Sequence, residues 1–151
     1  MNIILLSGGS GKRLWPLSND IRSKQFVKMF QNDRGEYESM VQRVYRQIKQ
    51  IDPDATVTIA TSKKQVSTIH HQLGDKVSVC VEPARRDTFP AIALAAAYLC
   101  SEKQVDEKEC VLVMPVDPYV DEGYFRSLAE LFKLAQSGSY RLNLMGVEPT
   151  Y

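Results

Sequence analysis

Short apolar runs alternate along the chain with longer stretches whose apolar residues recur every three or four positions. Residues 2–7, centred on Ile3-Ile4-Leu5-Leu6, predict a buried strand. Residues 37–51 place Val41, Val44, Tyr45, Ile48 and Ile51 at helical spacing, and Pro53 stops the pattern. A β-branched run predicts a second strand over 56–61, followed by a helix over 63–73. Gly74 and Asp75 then turn the chain into a third strand over 77–81. Residues 88–101 are alanine-rich and apolar on most sides, which predicts a well-buried helix. A fourth strand follows over 109–114. The next helix, 122–136, carries Phe125, Leu128, Leu131, Phe132 and Ala135 on one face and is closed by Gly138. Residues 141–146 predict a fifth strand.

Strand and helix alternating in this way predict parallel strands joined by right-handed crossovers. The apolar continuity of the strands fits a sheet covered on both faces. The predicted fold class is α/β: a Rossmann-like, doubly wound, mostly parallel sheet with helices on both faces. One long irregular stretch, 8–36, follows the carboxyl end of the first strand, where open α/β sheets bind ligands. The final Val147-Glu148-Pro149-Thr150-Tyr151 reads as a strand leaving into a loop. On that reading, residues 1–151 are expected to be a piece of a longer protein.

Composition narrows the partners. Hydrophobic residues make up 44% and charged residues 25% of the chain, and the net charge is +1. Such a balance gives no global field for nucleic acid or a membrane surface. Cys80, Cys100 and Cys110 are odd in number and lack metal-ligand spacing, so reduced, mostly buried thiols are expected. No leader pattern and no membrane-length apolar run is present, which predicts a cytoplasmic protein. His70 and His71 are adjacent on a helix and point apart, so they do not chelate; they are expected to be partly exposed. Tyr119, Tyr124 and Tyr140 are expected as packing or rim residues.

The first strand empties into Ser7-Gly8-Gly9-Ser10-Gly11-Lys12-Arg13. Glycines let the backbone turn sharply and approach a ligand, and successive free N–H groups there form an anion site. The Lys-Arg pair that follows makes a polyphosphate the natural anion. A P-loop is excluded, because Leu6 stands where its first glycine belongs and Arg13 where its hydroxyl does. The dinucleotide fingerprint fails at Leu14, and Ala60-Thr61-Ser62-Lys63 offers no ribose-binding acid. A Rossmann oxidoreductase is disfavoured for these reasons.

The segment Gly8-Gly9-Ser10-Gly11-Lys12-Arg13-Leu14-Trp15-Pro16-Leu17-Ser18, with Lys24-Gln25-Phe26 following, resembles the sugar-1-phosphate nucleotidyltransferases. Arg13 and Lys24 have that family's separation of eleven. Trp15, the Lys24-Gln25-Phe26 triplet and Glu82-Pro83-Ala84-Arg85-Arg86-Asp87-Thr88-Phe89-Pro90-Ala91-Ile92-Ala93 are similar to its mannose-1-phosphate guanylyltransferase branch. Met114-Pro115-Val116-Asp117 resembles the family's metal-binding turn, and Gly146-Val147-Glu148-Pro149-Thr150 a later motif. The segments occur in the family's order. Three positions depart from it: Lys12 replaces a small residue, Ser23 a proline, and Pro118 the histidine after the metal-binding aspartate.

The resemblance implies transfer of a nucleotidyl group from GTP to a sugar 1-phosphate, most simply mannose 1-phosphate, giving a GDP-sugar and pyrophosphate. It implies Gly8, Gly9, Ser10 and Gly11 against the phosphates; Lys12, a departure from the family pattern, either adds phosphate attraction or faces water. Arg13 would grip the leaving pyrophosphate, and Lys24 would sit near the α-phosphate. Asp117 would hold Mg²⁺. Glu82, Pro83, Arg86, Asp87 and Thr88 would frame base and ribose, Asp87-Thr88 doubling as a helix N-cap. A second metal-binding aspartate would lie beyond Tyr151, so residues 1–151 alone are expected to turn over little. A non-catalytic, nucleotidyltransferase-like regulatory module is the rival reading; retention of Arg13, Lys24 and Asp117 ranks it second. The sugar stays open, and so does a homo-oligomer, for which an exposed last strand offers one route.

Overall fold

The computed structural model describes residues 1–8, 18 and 23–148. Four strands, β1 (Asn2–Leu6), β4 (Thr56–Ser62), β5 (Ser78–Glu82) and β6 (Val111–Pro115), form a sheet in the order β5-β4-β1-β6. All three pairings are parallel. Four helices accompany them: α1 (Met40–Ile51), α2 (Val66–Leu73), α3 (Thr88–Glu102) and α4 (Glu122–Gln136). The chain winds outward from β1 through β4 to β5, then returns by α3 to place β6 on the other side of β1. That reversal beside the central strand is the topological switch point of a doubly wound sheet.

Strand alternation divides the core in two. Ile3, Leu5, Val57, Ile59, Leu112 and Met114 face one side, where they meet Val41, Val44 and Ile48 of α1, Ile69 of α2, and Phe125, Leu128 and Phe132 of α4. Ile4, Ala60 and Cys80 face the other side and meet Ala95 and Leu99 of α3. This is the two-faced burial that the continuous apolar runs predict. Among the described residues, no helix is long and apolar enough to cross a membrane.

Four expectations need correction. The stretch 8–36 is not irregular throughout, since β2 (Lys28–Gln31) pairs antiparallel with β3 (Tyr37–Ser39). The helix expected from residue 37 accordingly starts at Met40. Ser39 closes a capping box there: its Oγ accepts from the Gln42 N–H at 3.3 Å, and its own N–H donates to Gln42 Oε1 at 3.1 Å. Helix α3 is not well buried. Ala91, Ala95 and Leu99 are covered, whereas Phe89 is 78% exposed and Cys100, further along the same helix, is exposed as well. A single helix lying on a sheet can bury only the stripe that faces it. Residues 141–148 form no strand, and Leu142 and Leu144 are exposed, because no described segment pairs with them. Residues 9–17, 19–22 and 149–151 lie outside the described residues.

Candidate active site

The carboxyl ends of the four parallel strands lie side by side, in the order Glu82 (β5), Ser62 (β4), Ser7-Gly8 (after β1) and Val116-Asp117 (after β6). Hydrogen bonds extend the pairing just past the strands: the Ser7 N–H donates to the Ala60 carbonyl at 2.9 Å and the Val116 N–H to the Leu6 carbonyl at 3.3 Å. With strands spaced at roughly 4.8 Å, the row from β5 to β6 is about 14 Å long.

At the β6 end, Lys24 Nζ lies 2.5 Å from Asp117 Oδ2, with the two side chains 48% and 39% exposed. The structure thus brings together two of the three residues to which the family resemblance assigned chemistry. The third, Arg13, lies outside the described residues, as do Gly9, Ser10, Gly11 and Lys12. Asp117 is carried on the loop after β6. In that loop the Tyr119 ring stacks on Phe30 at 5.4 Å and lies under the Arg43 guanidinium at 5.0 Å. Arg43 also donates to the Val120 carbonyl at 3.3 Å.

At the β5 end, a cavity of ≈ 210 Å³ is lined by Leu6, Gly8, Ser62, Glu82, Arg85, Asp87, Thr88 and Ala91. That is smaller than the roughly 300–1,000 Å³ of pockets that engulf a drug-sized ligand, so it offers room for a ring system rather than a whole nucleotide. The Glu82 carboxylate reaches across the end of β4; a Cβ on Gly8 would stand 3.5 Å from its Oε1. Burial pushes the Glu82 pKa up, and the nearby Arg85 guanidinium pulls it back. Asp87 opens α3 at φ 71°, ψ −167°, a conformation nearly reserved for glycine. Its Oδ1 accepts from the Thr88 N–H at 2.9 Å, so the expected N-cap is present.

Of the residues assigned to base and ribose, Glu82, Asp87 and Thr88 line the cavity together with Gly8. Pro83 and Arg86 are exposed and do not line it. Arg85, Ser62, Leu6 and Ala91 were missed. Arg85 was within reach of sequence reasoning, one position from Arg86; Ser62 was visible only as the end of a strand. Sequence reasoning also passed over a buried polar layer beneath the edge, made of Ser7, Ser23, Gln25, Thr61 and Gln65. All three thiols are free, but only Cys80 is buried; Cys110 is half-buried and Cys100 exposed, so they are less buried than expected. His70 is half-buried and His71 exposed, as expected. Tyr124 is half-buried against Phe125, and Tyr119 and Tyr140 are exposed.

A ring-sized cavity and a lysine–carboxylate pair along the carboxyl edge of a parallel sheet, with a glycine-rich segment following the central strand, are the layout of a nucleotide-handling α/β protein. The chain belongs to the Nucleotidyl transferase family, which it matches over residues 2–149. It is 34% identical over 153 residues to the alginate biosynthesis protein AlgA of Pseudomonas fluorescens, covering 97% of this chain and 29% of that protein. It is 29% identical over 153 residues to the mannose-1-phosphate guanylyltransferase of Escherichia coli, covering 98% of this chain and 31% of that protein. A crystal structure described as mannose-1-phosphate geranyltransferase from Thermus thermophilus superposes with a TM-score of 0.72. It shares 27% identity, over 91% of this chain and 38% of that one. The chain therefore spans about a third of the length of the proteins it resembles.

Proposed function

We propose that this chain binds GTP along its sheet edge and contributes to guanylyl transfer onto a sugar 1-phosphate, with mannose 1-phosphate the first candidate. The observation that carries the reading is the row of groups on one edge. A ring-sized cavity lies at β5, Ser7-Gly8 opens the glycine-rich segment after β1, and the Lys24–Asp117 pair stands at β6. Its length of about 14 Å matches an extended nucleoside triphosphate, with the base at Glu82 and the phosphates toward Lys24. Guanine presents two adjacent N–H donors, and the Glu82 carboxylate is an acceptor-only group suited to them. The mannose-linked names of the relatives favour the same substrates.

The reaction forms a bond from a sugar-phosphate oxygen to the α-phosphorus and breaks the bond from that phosphorus to the β-phosphate bridging oxygen. Pyrophosphate leaves with the electron pair. The nucleophile is already ionised at neutral pH, so no general base is needed. The barrier is the approach of two anions, and positioning and charge neutralisation lower it. The Lys24 ammonium is a compact charge for the incoming phosphate. Arg13, with its forked donors, suits the leaving pyrophosphate. Asp117 fits a Mg²⁺ ion as a single hard oxygen ligand, since Mg²⁺ is commonly held by one or two carboxylates together with substrate phosphates. Among the described residues no cluster of three acidic, His or Cys side chains forms a closed metal cage. Bound there, the ion would neutralise phosphate charge.

The test is pyrophosphate release by the complete polypeptide that carries these residues, not by residues 1–151 alone, supplied with Mg²⁺ and mannose 1-phosphate and offered GTP, ATP or UTP in turn. GTP is expected to be preferred, and Arg13→Ala to abolish release while leaving the fold intact. Release from no nucleoside triphosphate, with thermal stabilisation by NAD instead, refutes the reading.

A further inference from the structure

Lys24 is the exposed member of a turn whose other residues are buried. Ser23, Gln25 and Phe26 are 0%, 2% and 4% exposed, against 48% for the Lys24 side chain. The turn is a single 3-10 turn, Lys24–Phe26, with the Phe26 N–H donating to the Ser23 carbonyl at 3.0 Å. One turn of this kind is weakly self-stabilising, so its orientation must come from outside.

Three glutamine side chains supply that orientation. Gln25 Nε2 donates inward to the Ser7 carbonyl at 3.2 Å and to Ser7 Oγ at 3.3 Å, at the end of β1. Gln65 Nε2 donates to Ser23 Oγ at 2.7 Å, while the Thr61 hydroxyl donates to Gln65 Oε1 at 2.6 Å, which ties the turn to β4. Gln72 of α2 donates from Nε2 to the Phe26 carbonyl at 2.9 Å, and its Oε1 accepts from Ser39 Oγ at 2.6 Å. Residues on both flanks of Lys24 are therefore fixed to three separate elements, the end of β1, β4 and helix α2. A glutamine amide donates and accepts at once and carries no charge. It can bridge two partners in a buried place without competing with Asp117 for the Lys24 ammonium. A buried layer of this kind, once satisfied, is rigid.

We infer that Gln25, Gln65 and Gln72 are positioning residues that aim Lys24 across the sheet edge at Asp117 and the reacting phosphate. The inference rests on the role given to Lys24 above. It adds that the reach of Lys24 is set by amides that touch neither substrate nor metal.

The experiment is a double-mutant cycle in the complete polypeptide that carries these residues, read by pyrophosphate release from GTP with mannose 1-phosphate. Gln65→Met keeps side-chain length and removes the hydrogen bonds to Ser23 and Thr61. Because a displacement of about 1 Å at a reacting group can cost about a hundredfold in rate, kcat is expected to fall roughly 10- to 100-fold, with the GTP KM within about twofold. In a Lys24→Ala background the same change is expected to have no further effect on kcat. An equal fall in both backgrounds marks general structural damage and overturns the inference. So does an unchanged kcat for Gln65→Met in a protein that Lys24→Ala disables. An unchanged kcat for Lys24→Ala itself refutes the role of Lys24, and the clamp with it. Should Gln65→Met fail to fold, Thr61→Val deletes only the hydroxyl that orients the amide. It must show the same kcat-specific, Lys24-dependent loss, and its absence overturns the inference equally.

Discussion

Asp87 stands at the mouth of the cavity in a backbone conformation, φ 71° and ψ −167°, that non-glycine residues avoid. Holding a side chain there costs on the order of 1–3 kcal/mol. What offsets it locally is the cap, in which Oδ1 accepts from the Thr88 N–H at 2.9 Å. Replacing a capping Asp costs roughly 0.5–2 kcal/mol with Ala but only a few tenths with Gly. Asp87→Gly thus relieves about 2 kcal/mol of strain. It gives back about 0.5–1 kcal/mol through a freer unfolded chain, and its net gain is about 1 kcal/mol. Asp87→Ala keeps the strain, loses the cap and is about 1 kcal/mol less stable than the parent. The two variants are expected to move in opposite directions, the glycine form raising the urea midpoint and the alanine form lowering it, with the m-value unchanged. The glycine form is also expected to bind GTP more weakly, because the carboxylate that fixes the opening of α3 beside the cavity is gone. A glycine variant at or below the parent's stability would show that Asp87 is not strained and refute the reasoning.

Two further changes probe the electrostatics. Burial holds the Glu82 pKa above the 4.5 of an unperturbed glutamate. The folded chain therefore keeps that proton to higher pH than the unfolded chain, and stability falls as pH rises from about 4.5 through the raised pKa. Glu82→Gln is expected to remove this fall; urea unfolding across that window checks it, and a curve parallel to the parent's counts against it. Glu38, 7% exposed, is held by Arg46 through Nη2 to Oε1 at 2.7 Å and Nε to Oε2 at 3.1 Å. Arg46→Met strands that buried carboxylate and is expected to cost about 3 kcal/mol, most of which the double variant with Glu38→Met recovers. Equal losses in the single and double variants would show the pair is not coupled.

Much of the fold was legible because local pattern and tertiary demand coincide. Helix α4 spans the predicted 122–136, since its apolar stripe, the Asp121 cap and Gly138 (φ 72°) all point to the same ends. The four strands of the parallel sheet were legible as short apolar or β-branched runs alternating with helical patterns. The β2–β3 hairpin escaped because Lys28-Met29-Phe30-Gln31 is short and mostly exposed. Its one clear signal was Gly35 (φ 77°), closing the Asn32–Gly35 turn. Residues 141–146 carry strand-forming chemistry and still make no strand, since a strand's hydrogen bonds need a partner that a sequence window cannot supply.

Residue types and spacing were enough to determine the sheet class and the glycine-rich segment, and the family resemblance singled out Lys24, Asp117 and Glu82 as the charges worth following. Their arrangement was decided by the tertiary structure alone. Lys24 and Asp117 meet because β6 returns beside β1, and the Lys24 turn is aimed by amides from the turn after β4 and from α2 that no local pattern links to it. The physical reason is that propensity and periodicity act over a few residues. The contact between distant side chains is set by how the sheet is wound and by which buried polar groups must find partners once water is excluded.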